Sequence, residues 1–124
     1  MESRKLVVLL LISCSSAFAV PPMSKIYEGA SSLFSAQPRT KETDAYADAW
    51  AAFNNSHHLD ERDGCYFKAT GPLVQILQIN AEGTVVGYYS DKINGRSECW
   101  RKTYMGVTFP KPPFAPFYHR LEMR

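Results

Sequence analysis

Leu73-Val74-Gln75-Ile76-Leu77-Gln78-Ile79-Asn80-Ala81-Glu82-Gly83-Thr84-Val85-Val86-Gly87-Tyr88-Tyr89-Ser90 decides the fold. Two runs rich in branched and aromatic residues flank Asn80-Ala81-Glu82-Gly83, which sets Asn at the first position of a tight turn and Gly where a positive φ is needed. The stretch predicts a β-hairpin, Leu73–Ile79 against Thr84–Ser90, and a hairpin pairs its arms antiparallel. Downstream, Asn94-Gly95 signals another turn. Ser97 can then cap a short helix running to Met105, with Glu98 at its start, Arg101 and Lys102 near its end and Gly106 just past it, as the helix dipole and a glycine C-cap favour. Val107–Phe109 reads as extended, and the proline-rich segment 110–116 as a stiff polyproline-type run. Phe117, His119, Leu121 and Met123 alternate with Tyr118, Arg120, Glu122 and Arg124, a period of two that predicts a last, half-buried strand.

Upstream of the hairpin, Cys65–Ala69 reads as a short strand and 57–64 as a polar surface connection. Lys41–Asn54 has helical period, with Tyr46, Ala49, Trp50 and Phe53 on one face and Thr40 as a plausible N-cap ahead of Glu42 and Asp44. Residues 20–40 hold Pro21-Pro22, Gly29-Ala30-Ser31-Ser32 and Pro38, and read as a flexible lead-in whose job is spacing. The expectation is an α+β fold. It comprises one N-terminal amphipathic helix followed by a hairpin, helix and strand around a small antiparallel sheet, as a single domain over 41–124.

Residues 1–19 read as a secretory signal. Arg4 and Lys5 give a basic start, Leu6–Ile12 an apolar run too short to span a bilayer, and Ala17-Phe18-Ala19 a small-x-small cleavage site. Leu11-Ile12-Ser13-Cys14 also has the form of a lipobox, so a lipid anchor at Cys14 is the alternative to simple periplasmic or secreted release. Signal cleavage leaves two cysteines of the three, Cys65 and Cys99. An even pair without CxxC spacing in an oxidising compartment reads as one structural disulfide. The 124 residues, with 45% hydrophobic content, 14 basic and 12 acidic side chains, exclude a multidomain enzyme and a strongly cationic nucleic-acid binder.

The half from Leu73 to Met123 resembles the TonB C-terminal domain superfamily, the periplasmic end of the energy transducer. Leu77–Val85 is similar to that family's hairpin, Cys99-Trp100-Arg101 sits where its helix carries basic residues, and Phe109-Pro110 resembles its aromatic-proline pair before the final strand. The resemblance implies a hairpin-helix-strand fold, a bacterial envelope compartment and a partner-binding habit. The transducer keeps an uncleaved membrane anchor and a long proline-rich spacer. A cleavable signal and a short lead-in depart from that pattern, so force transmission is not expected.

Chemistry-bearing residues are few. His57 and His58 lie near Asp60 and Glu61 without metal-site spacing and read as a solvated loop, so no cofactor is expected. His119, with Asp91 or Glu122, is a further candidate for acid–base work, as in a small hydrolase or nuclease. The rigid 109–116 segment is a candidate inhibitory wedge. Asn54-Asn55-Ser56 is a formal glycosylation sequon, relevant only in a eukaryotic source. Charge is segregated, with 39–63 acidic and 92–124 basic, so the C-terminal third is expected to face an acidic envelope protein. The favoured reading is a non-catalytic binding or assembly module whose contact surface is an exposed sheet edge together with Arg101, Lys102, Tyr104 and Arg120.

Overall fold

The computed structural model describes residues 23–124; the expected signal sequence and Cys14 lie outside them. In chain order the elements are α1 (Met23–Ala36), α2 (Lys41–Ser56), a 3-10 turn (Cys65–Phe67), β1 (Leu73–Ile79), β2 (Val85–Ser90), α3 (Gly95–Tyr104) and β3 (Phe117–Met123). The three strands form an antiparallel sheet in the order β2-β1-β3. The fold is α+β, with the hairpin, helix and strand in the expected sequence.

The hairpin turn works as its residues dictate. Gly83 adopts φ +93°, and the Asn80 side-chain oxygen accepts from the Glu82 and Thr84 amides at 3.1 and 2.9 Å. A Cβ on Gly83 would also run into the Phe109 carbonyl, because the segment after α3 returns here. Phe109 N–H donates to Gly83 O at 2.8 Å and Val85 N–H to Val107 O at 2.9 Å. The start of β2 is thereby clasped on its outer side.

Period two divides the sheet into two faces. Leu73, Leu77, Ile79, Val85, Tyr88, Phe117 and Met123 point to a core completed by Tyr46 and Trp50 of α2, Trp100 and Tyr104 of α3, and Phe109. Trp50 stacks on Phe109 with centroids 4.4 Å apart, and Tyr46 meets Phe117 edge-on at 4.8 Å. Such aromatic pairs add to the area they bury. Ile76 and Tyr118 point the other way, to a smaller cluster with Ala30, Tyr27 and Phe34 of α1. The sheet is a middle layer between helices.

Four local expectations are corrected. Residues 23–36 are not a flexible spacer but α1, a helix packed against all three strands. Tyr27, Ala30 and Phe34 lie at i, i+3 and i+7, one helical face, and burying that face on the sheet outweighs the weak helix propensity of Gly29 and its serines. Cys65–Phe67 is a 3-10 turn rather than a strand. Ala49 of α2 is exposed, whereas Tyr46, Trp50 and Asn54 are buried. The cap of α3 is Asn94 rather than Ser97. The Asn94 side chain accepts from the Ser97 amide at 3.1 Å while Ser97 Oγ accepts from the Asn94 amide at 2.8 Å, a reciprocal capping box.

Thr40 caps α2 as expected, with Thr43 as its reciprocal partner. Cys65 and Cys99 are joined by a disulfide, S–S 2.10 Å, which staples the 3-10 turn to α3. Beside it, the buried Arg96 guanidinium donates to the backbone oxygens of Tyr66 (3.0 and 3.1 Å), Gly71 (2.5 Å) and Arg124 (3.3 Å). One side chain therefore ties together the turn, the approach to β1 and the C-terminal end.

Candidate functional site

The four residues expected to form one contact surface do not come together. Arg101 and Lys102 are exposed on α3, but Arg101 Nη2 pairs with Glu98 Oε2 at 3.0 Å. Lys102 borders an open depression of about 350 Å³ shared with Asp63, Lys68 and Glu98. The helix presents mixed charge rather than a basic stripe. Tyr104 is no surface residue: it is fully buried, and its hydroxyl donates to Asn54 Oδ1 at 3.0 Å. Its place follows from spacing, since Trp100, Thr103 and Tyr104 stand at i, i+3 and i+4, the buried face of α3. The same bond buries Asn54, so the sequon's acceptor amide lies in the core. Arg120 sits on β3, on the sheet face opposite α3. Helix α3 makes its sheet contacts on β2 and β1 instead.

The acid–base constellation is not assembled either. His119 points from β3 into the main core, where its ring lies 4.2 Å from that of Trp50, and desolvation lowers its pKa from 6.5 to about 4. Asp91 lies beyond the far end of β2 and accepts from the Val74 amide at 3.0 Å. Val74 is paired with Glu122, whereas His119 is paired with Leu77 further along β1. Glu122 is on the other face, ion-paired with Arg120 at 2.6 Å. A neutral imidazole without a carboxylate partner is a poor general base. His57 is folded back on α2, its ring stacked on Phe53 at 4.0 Å and its Nδ1 2.9 Å from the Phe53 carbonyl. Among the described residues no three His, Cys, Asp or Glu side chains are grouped as metal ligands.

The 109–116 segment is anchored to the domain at three points, while Lys111, Pro113, Ala115 and Pro116 are exposed. Phe109 is buried, the Pro110 carbonyl accepts from Tyr46 Oη at 2.8 Å, and Phe114 packs on Phe117 at 5.3 Å. Desolvation raises the Tyr46 pKa to about 12, so that phenol remains a donor throughout the physiological range.

What the structure offers instead is one edge of the sheet. On the outer side of β3, the Gln37 carboxamide bonds to both backbone groups of Tyr118: its Nε2 donates to Tyr118 O at 2.8 Å and its Oε1 accepts from Tyr118 N–H at 2.5 Å. A side chain here imitates a neighbouring strand. It also fixes which groups face outward, because successive residues alternate. Leu77–His119 and Gln75–Leu121 exchange bonds within the sheet, while Tyr118, Arg120 and Glu122 direct N–H and C=O away from it. Gln37 satisfies Tyr118. Among the described residues no backbone group pairs with Arg120 or Glu122, and both are exposed.

Where Gln37 ends the open edge, a cavity of about 190 Å³ lies between β3 and the start of α2, lined by Phe34, Gln37, Thr43, Asp44, Phe117 and His119 among others. The role of Gln37 has no signature in sequence, since it depends on α1 placing residue 37 beside a strand 81 positions away. The alternation of 117–123 does reveal which residues share a face, but not which strand lies outermost.

No protein-family model matches this chain, and neither a curated protein nor a solved structure is similar to it at a significant level. Among the described residues no helix is long and apolar enough to cross a membrane.

Proposed function

We propose that this chain is a small exported, non-catalytic binding module of the bacterial envelope, TonB C-terminal-like, which receives an extended segment of an acidic partner along the outer edge of β3. The observation that carries the reading is the pair of unpartnered backbone positions at Arg120 and Glu122 on an exposed edge strand. Main-chain hydrogen bonds give such strand addition its affinity. An acidic partner is favoured because residues 92–124 hold seven basic and two acidic side chains, so approach would be electrostatically steered. The Cys65–Cys99 disulfide fits an oxidising compartment.

The test is affinity capture from solubilised envelope on the oxidised protein, run beside Arg120→Pro. The Arg120 N–H faces outward, so proline there removes an edge donor and leaves the β1–β3 ladder intact. One stoichiometric, salt-sensitive partner held by the wild type and lost by Arg120→Pro at unchanged melting temperature is the expected result. Equal capture by both proteins, or capture by neither, overturns the reading of this edge as the partner's binding site.

A further inference from the structure

We propose that β3 also recognises itself: two copies of this chain pair their β3 strands antiparallel about a two-fold axis at Leu121, fusing two three-stranded sheets into one. The argument begins from which residues an antiparallel neighbour could meet. Bonds form only where outward-facing positions stand opposite one another, and on this edge those positions are Tyr118, Arg120 and Glu122. A two-fold axis at Leu121 sets Arg120 of one copy opposite Glu122 of the other, twice. Each such pair exchanges two backbone hydrogen bonds.

The side chains select this register over its neighbours. Shifting the axis to Arg120 sets Arg120 against its own copy, and shifting it to Glu122 sets carboxylate against carboxylate, with Arg120 facing Arg124. Like charges directly opposite are destabilising, and opposite charges stabilise a cross-strand pair. Arg120 and Glu122 already lie on the same face in ion-pair contact at 2.6 Å, so the axis at Leu121 builds an alternating four-charge cluster. Charged side chains on an edge ordinarily deter pairing; here they deter the two neighbouring registers, at Arg120 and at Glu122, and favour the one at Leu121 between them. Gln37 sets the limit at the other end by occupying Tyr118. The contact is isologous and therefore closes at two copies.

This inference rests on the open edge alone and not on the identity of an envelope partner. The test is sedimentation equilibrium of the purified, oxidised protein over a concentration series. The wild type should pass from one chain to two as concentration rises, less readily in high salt. Arg120→Glu and Glu122→Arg should each weaken self-association about ten-fold or more, since each sets like charges opposite. Mixing the two variants should restore a two-chain species, because the substituted acid of one then faces the substituted base of the other, and the Arg120→Glu/Glu122→Arg double variant should self-associate like the wild type. A wild type that stays one chain at every concentration, or single variants that pair as well as it does, would overturn the proposal. A monomeric wild type leaves the binding-module reading intact, since its edge stays free; a self-pairing protein that captures no envelope partner does the reverse.

Discussion

His119 is disfavoured from gaining a proton in the folded protein. Its ring lies against Trp50, tilted by 38°, and desolvation holds its folded pKa near 4 against about 6.5 unfolded. The unfolded chain therefore binds the extra proton first, and stability rises with pH across this window. The contribution is complete above about pH 6.5 and falls away as the pH drops towards 4. Urea unfolding should show a loss of up to about 3 kcal/mol over that interval, and His119→Leu should remove this share of the acid sensitivity; identical profiles for the two proteins would contradict the assignment. Arg96 is the second pivotal residue, because its guanidinium donates to the backbone oxygens of Tyr66, Gly71 and Arg124. Arg96→Ala should cost about 2 kcal/mol by removing these charge-assisted hydrogen bonds and the packing of the buried side chain. Arg96→Lys should recover little of this, since an ammonium cannot reproduce the planar fork; both values are readable from denaturant midpoints.

At the scale of elements, legibility followed the range of the forces involved. The hairpin was legible because Asn80 and Gly83 act within their own turn. Gly83→Ala should cost more than about 2 kcal/mol, combining a strained positive φ with a clash at the Phe109 carbonyl, and thermal melting would show it. Helix α2 was legible through its period and its Thr40 cap. Helix α1 was not: its Gly-Ala-Ser-Ser centre argues locally for a linker, and only the sheet's second face makes a helix there favourable. The spacing of Tyr27, Ala30 and Phe34 was the signal that could have found it. Tyr104 was misplaced for a related reason, since nearness to Arg101 and Lys102 in sequence says nothing about the face a helical residue takes. The edge at Arg120 and Glu122 was legible only in part. Alternation gave its side chains, while its openness depends on strand order and on Gln37.

At the scale of the whole molecule, a small sheet is covered by α2 and α3 on one face and by α1 on the other, with the disulfide binding the 3-10 turn to α3. Closing a loop of 34 residues should contribute about 3–4 kcal/mol in the chain-entropy view. Reduction, or the Cys65→Ser/Cys99→Ser variant, should lower the unfolding free energy by about that amount, and an unchanged midpoint would show that the loop is already constrained in the unfolded chain. Among the described residues the outer side of β3 carries backbone groups, at Arg120 and Glu122, that no other backbone group pairs with, and both the proposed partner strand and the proposed second copy depend on them. Residue-resolved amide hydrogen exchange by NMR on dilute, oxidised protein tests that dependence most directly. The account predicts slow exchange at His119 and Leu121, which bond to β1, slow exchange at Tyr118, which bonds to Gln37, and fast exchange at Arg120 and Glu122, with protection appearing at those two amides as concentration rises. Uniform protection along β3 at every dilution would mean that the edge is already covered, and would contradict the account.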